Sequence, residues 1–185
     1  DTPSASNVSA YAYDAARYNK VAAAYYITAQ GVPFIHAGEE MLRSKPTVDA
    51  ELNFVFDHNS YSSGDGVNSF KWGELAKELN AGVYEYYKGL IAFRKAHPAL
   101  RMTEQSEILS AMTALETGSD NVIAILNKGG NGENNQILTI INADENAGRL
   151  MTSPAVGASE RLNVTQALSL MNRYGLKAVP VFKDD

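Results

Sequence analysis

The sequence predicts a mixed α+β chain: helices around a single buried strand in its first half, and short antiparallel strands in its second. Three observations predict it. Two long runs, Tyr11 to Gln30 and Ala81 to Ala96, carry apolar residues at helical spacing. Between them, Val32 to Ala37 is apolar except at His36 and flanked by Gly31 and Gly38, the pattern of a strand covered on both faces. Beyond Pro98, β-rich runs at Glu107–Leu115, Asn121–Lys128 and Gln136–Ala143 alternate with Gly/Asn-rich turns.

Taken in order, residues 1–9 are small and polar and read as a lead-in. In the first helix Tyr18, Val21, Tyr25 and Thr28 share one face, so its tyrosines are expected to pack in a core. Gly31 stands where a helix end needs a left-handed residue. Pro33 is tolerable near the start of a strand. Gly38, Glu39 and Glu40 close that strand, where they are expected to be structural: adjacent carboxylates at a strand end point to opposite sides, one pairing with a cation or capping the turn. His36 inside the apolar run reads as a hydrogen-bonded core histidine. Met41 to Phe56 shows no clear period. Asp57 to Gly66 is dense in turn formers and reads as a long loop. Its Asp, His, Asn and Tyr side chains suit sugar hydroxyls and sugar rings; they equally suit an Asx-rich loop that caps its own backbone. Helical spacing resumes from Phe70 to Leu79. In the helix Ala81–Ala96, Val83, Tyr87, Leu90, Ile91 and Arg94 form the inward stripe, Arg94 and Lys95 suit its negative end, and Pro98 stops it. Leu162–Tyr174 reads as a helix and Leu176–Phe182 as a last strand.

Composition narrows the chemistry. The 185 residues are 45% hydrophobic, enough for one or two globular domains. A net charge of −5 without long charged runs argues against a nucleic-acid partner, and no stretch approaches the ~20 apolar residues of a membrane span. Without cysteine there is neither disulfide nor thiolate chemistry, and no metal-ligand spacing is present. No phosphate-cradling glycine loop occurs either. The start at Asp1 reads as a cut within a longer chain, and nothing indicates a cellular location.

A family resemblance adds what spacing does not. Gln30-Gly31-Val32-Pro33-Phe34-Ile35-His36-Ala37-Gly38-Glu39-Glu40-Met41-Leu42-Arg43-Ser44-Lys45 resembles the segment around the eighth barrel strand of type I pullulanases, debranching enzymes of the α-amylase superfamily. Asp57-His58-Asn59-Ser60-Tyr61, followed by Gly64-Asp65-Gly66-Val67-Asn68, is similar to their next loop. Tyr84 to Arg101 resembles their last barrel helix and its exit. The resemblance implies that residues 1–101 are the end of a catalytic (β/α)8 barrel and that residues 102–185 are a β-sandwich-like C-terminal domain. Leu162–Asp185 departs from the usual end of that domain.

The implied activity of the whole protein is retaining hydrolysis of α-1,6-glucosidic branch links in pullulan, starch or glycogen dextrins. The family's catalytic Asp, Glu and Asp follow barrel strands four, five and seven, and no residue here carries those motifs. The expectation is therefore no catalytic and no metal residue in this chain, with Asn59, Tyr61 and Asp65 as substrate-binding candidates. No cofactor is expected, calcium elsewhere in the parent being open. An α-glucan polysaccharide or oligosaccharide is the expected partner. A lone barrel strand also predicts self-association of the isolated chain. A carbohydrate-binding module or a structural tail, neither catalytic, is the alternative reading.

Overall fold

The computed structural model describes residues 5–129, 136–143, 158–159 and 181–182. Helix α1 spans Ala5–Thr28, strands β1 and β2 span Pro46–Val48 and Phe54–Phe56, and helix α2 is the single turn Asp65–Asn68. Helix α3 spans Glu78–Ala96 and helix α4 Gln105–Ala111. Strands β3, β4 and β5 are Met112–Leu115, Val122–Lys128 and Gln136–Asn142, and β6 and β7 are the pairs Ala158–Ser159 and Val181–Phe182. The chain divides into two compact units, residues 1–19 with 35–88 and residues 20–34 with 89–185. Among the described residues no helix is long and apolar enough to cross a membrane.

In the second unit, α1 ends at Thr28 and Gly31 has φ 90°, the left-handed conformation its position required. The buried face is not the tyrosine face. Ala23, Ala24, Ile27 and Thr28 are buried, whereas Tyr18 and Tyr25 are exposed. Small residues admit close neighbours, and the bulky rings lie on the other side. Arg94 is buried, as its place on the inward stripe predicts, but its hydrogen bonds go to another helix. Instead of serving its own helix it is buried at the end of α1, donating to the carbonyls of Ile27 (2.7 Å), Ala29 (2.6 Å) and Gly31 (2.5 Å). Burial, with neighbouring Arg101, lowers its pKa from the ordinary arginine value. The three carbonyls at a helix's negative end keep the cation favourable there.

Gln30 extends this joint. Its amide donates to Ala99 O (2.7 Å) and Asn127 Oδ1 (2.8 Å), and its carbonyl accepts from Met102 N (3.2 Å). Asn127 lies on β4 opposite Ile137 of β5, and Ile137 packs with Ala99, Leu100 and Met102, with Ile108 and Ala111 against them. Ala124, Ile140, Leu115, Val122 and Leu138 form a second cluster. The sheet order β3-β4-β5 is antiparallel throughout, as expected for Asn121–Lys128 and Gln136–Ala143. The run Glu107–Leu115 is only half strand, since α4 occupies Gln105–Ala111. Strands β6 and β7 pair in parallel. The expected helix Leu162–Tyr174 lies outside the described residues, and of Leu176–Phe182 only Val181–Phe182 is described.

The segment Val32–Ala37 is not a buried strand here. No strand among the described residues pairs with it, and Val32 and Phe34 are 96% and 86% exposed. His36 is exposed too. A parallel strand gains its ladder and its cover only from neighbours distant in sequence. The described residues supply none.

In the first unit, Met41–Phe56 contains an unforeseen hairpin, β1 pairing antiparallel with β2. Asp49 organises its turn, accepting from the amides of Asn53 (2.8 Å) and Glu51 (3.1 Å) and from Asn53 Nδ2 (3.1 Å). Leu52 sits in this turn at φ 64°, left-handed for a branched side chain and 81% exposed. Helix α3 buries Asn80, Val83 and Tyr87, a 3–4 spacing, while Ile91 of the expected stripe is exposed.

Two outcomes are expected from these contacts. Replacing Arg94 by Met leaves the buried Ile27 carbonyl and the part-buried carbonyls of Ala29 and Gly31 without this donor and should lower stability by about 2–4 kcal/mol in denaturant unfolding, with Lys restoring only part. Leu52→Gly should raise the melting temperature, relieving strain of about 1 kcal/mol at a side chain that buries little.

Candidate functional site

The first unit carries the expected site residues on two adjoining turns. Gly38 starts a 3₁₀ turn, Glu39–Met41, with φ 96°. A Cβ at Gly38 would lie 2.5 Å from Arg43 Cδ and 2.7 Å from Arg43 Cβ, so space and backbone both demand glycine. Around it, Asn19 Nδ2 donates to Glu39 O (3.2 Å) and the buried Asn80 Nδ2 donates to Met41 O (2.8 Å). Tyr87 Oη donates to Glu39 Oε1 at 3.3 Å, and Glu40 Oε2 accepts from Gly38 N at 2.9 Å. Both carboxylates therefore make contacts within this turn and its helical support.

Arg43 joins this turn to the loop. Its guanidinium donates to Ala37 O at 3.0 Å and to Asn68 O, and lies 4.7 Å over the Phe70 ring. Phe70 in turn stacks on Trp72 with centroids 5.0 Å apart. Asn68 ends α2, and its Nδ2 donates to Ser60 O (2.8 Å) and Ser63 O (2.7 Å). Lys45 Nζ donates to Ser60 Oγ (2.7 Å), while Asp57 N donates to Lys45 O (2.9 Å). Asp57 accepts from Asn59 N (3.0 Å) and from Ser63 Oγ. Those two bonds, Ser63 first, hold its carboxyl below the usual carboxylate range, with smaller help from His58 and Lys45.

The result is a clamped 3₁₀ turn, Ser60–Ser62, that projects an aromatic side chain. Ser60 is buried while Tyr61 is 96% exposed. Asn59 is exposed beside it, and Asp65 is exposed at the first position of α2. Thus Asn59 and Tyr61 share one turn and Asp65 follows within the same loop. Gly38, Glu39 and Glu40 form the separate turn that Arg43 ties in. The Asx-rich loop does cap its own backbone, through Asp57 and Asn68, which leaves Asn59 and Tyr61 facing outward. Arg43, Lys45 and Asn68 carry no motif or spacing in the sequence that marks these roles. Only the density of Asx and Ser residues hinted at an internally bonded loop. Among the described residues no group of three or more His, Asp or Glu is placed to hold a metal ion.

No protein-family model matches the chain. Pullulanase of Bacillus subtilis strain 168 is 39% identical over 89 residues, covering 48% of this chain and 11% of that protein. The pullulanase structure from Bacillus acidopullulyticus matches 70% of this chain and 15% of its own, with a TM-score of 0.60 at 34% identity. The chain is similar to a segment of the pullulanases. A third match is the crystal structure of a Paenibacillus barengoltzii pullulanase in complex with maltohexaose and α-cyclodextrin. It has a TM-score of 0.56 at 28% identity, over 76% of this chain and 20% of that one. The pullulanase-like chain thus spans about a tenth of the length of the curated relatives it matches.

Two measurements check this geometry. Gly38→Ala should cost at least about 1–3 kcal/mol, from left-handed strain and the clash with Arg43. For Asp57, a depressed folded pKa means that its bonds contribute above the ordinary carboxylate value of about 3.9 and are lost as pH falls through the lower folded value. The Asn59 amide should therefore stay protected from hydrogen exchange at neutral pH and lose protection in acid. In Asp57→Asn that pH response should disappear.

Proposed function

We propose that this chain is part of a glycoside hydrolase that cleaves α-1,6-glucosidic branch linkages in pullulan, starch or glycogen dextrins. The observation that carries the reading is the match of 70% of the chain to a pullulanase structure at 34% identity. On this reading, residues 1–101 belong to the end of the catalytic barrel and residues 102–185 to the β domain after it. The catalytic carboxylates then lie outside these 185 residues. The chain's contribution to substrate is the outward side of the Asp57–Asp65 loop. Asn59 can give a donor and an acceptor to paired hydroxyls, and Tyr61 can cover the apolar face of a glucose ring with its phenol in water. Asp65 can accept from a further hydroxyl. The maltohexaose complex of the similar Paenibacillus enzyme supports an α-glucan as the ligand.

Hydrolysis needs a carboxyl that protonates the leaving oxygen and an opposed carboxylate that attacks. The purified chain should therefore release no reducing sugar from pullulan, whereas the full-length protein should. In that full-length protein, Asn59→Ala and Tyr61→Ala should raise KM or lower kcat/KM several-fold, as contacts of about 0.5–1.5 kcal/mol imply, with the melting temperature nearly unchanged. Equal losses of stability and activity would make the loop structural. Residues 32–37, paired with no strand among the described residues and with Val32 and Phe34 exposed, support self-association of the chain when isolated. Light scattering on it should report more than a monomer, and a strict monomer at high concentration would refute this.

A further inference from the structure

The reading of the loop as a glucan contact leaves open how an almost wholly exposed ring is held ready for a ligand. The hydrogen bonds around it supply an answer. An isolated tyrosine at 96% exposure has no packing of its own to orient it. Its backbone does have anchors, and they converge on one side chain. Both hydrogens of the Asn68 amide are used, one on Ser60 O at 2.8 Å and one on Ser63 O at 2.7 Å. Those carbonyls belong to the first residue of the Tyr61 turn and to the residue that closes it, Ser63 N itself donating to Ser60 O at 3.1 Å. Asn68 is placed in turn by its backbone carbonyl, which accepts from Arg43, and by its backbone N–H, which donates to Gly64 O at 3.0 Å.

We infer that Asn68 is a positioning residue for α-glucan binding, fixing the turn that presents Tyr61. The inference rests on the proposed role of this loop. Its physical basis is preorganisation. With the turn clamped during folding, ligand binding need not order the backbone of residues 60–63, and the affinity that ordering would consume is retained. A donor is required, because the two groups it meets are both carbonyls. Asn68→Asp keeps the shape and replaces the donating nitrogen by an acceptor, so near neutral pH it sets a carboxylate against two carbonyl oxygens.

The test is an NMR titration of the 185-residue chain with maltohexaose, using Tyr61→Ala, Asn68→Ala, Asn68→Asp and the double variant Tyr61→Ala/Asn68→Ala. The chain's single tryptophan, Trp72, stacks on Phe70 under Arg43, so its emission reports whether the neighbouring structure survives each change. Tyr61→Ala and both Asn68 variants are expected to weaken binding about three- to tenfold, with Trp72 emission unchanged. The double variant should be no weaker than Tyr61→Ala, since Asn68 acts through that ring. If Tyr61→Ala weakens binding and the Asn68 variants do not, Asn68 has no positioning role while the loop reading stands. Losses that add in the double variant, or an Asn68→Asp chain that binds like the wild type, also overturn the inference. Absence of maltohexaose binding by the wild-type chain, or binding indifferent to Tyr61, removes the loop reading itself and the inference with it.

Discussion

A buried guanidinium on a helix end is the constraint from which the second unit follows. Taking a cation out of water costs several kcal/mol unless its donors are met, and Arg94 meets three carbonyls around the end of α1. Helix α1 leaves its last carbonyls without intrahelical partners. Each side therefore removes the other's penalty. That exchange holds Arg94 to the end of α1 and to the turn at Gly31. Gln30, one residue before the turn, then bonds to Ala99, Met102 and the buried Asn127. One side chain thereby ties the α1 terminus to the exit of α3 and to strand β4.

In the first unit, polar side chains hold backbone that has no regular secondary structure. Asn19 and Asn80 take the carbonyls of the Glu39–Met41 turn, and Asn68 takes those of the Ser60–Ser62 turn. Irregular backbone kept from water needs a partner for every polar group. Asparagine suits this work, because its two-hydrogen amide can bridge two carbonyls on a short, stiff stem. Arg43 does the same between Ala37 and Asn68 while stacking on Phe70. With Asp57 and Asn68 bonded within the loop, Tyr61 and Asn59 are left to the solvent side.

Local chemistry in the sequence determined a good deal. Gly31 ended a helix because only glycine takes a positive φ freely, and Pro98 stopped α3 because it lacks an amide hydrogen. The β-rich runs Asn121–Lys128 and Gln136–Ala143, separated by a Gly/Asn-rich turn, were enough to define an antiparallel pair. The Asx-rich loop was legible from residue types, whereas the exposure of Asn59, Tyr61 and Asp65 on it came from the fold. Tertiary structure decided the rest, because partners distant in sequence leave no periodic trace. The same alanine spacing could face either way, and close packing chose Ala23 and Ala24 over Tyr18 and Tyr25. Arg94 could have served either of two helix ends, and proximity to Ile27, Ala29 and Gly31 chose α1. The apolar run Val32–Ala37 could be a strand only beside other strands; among the described residues none pairs with it, and Val32 and Phe34 are exposed. Asn68 was one polar residue among many until the fold brought two carbonyls within reach of its amide.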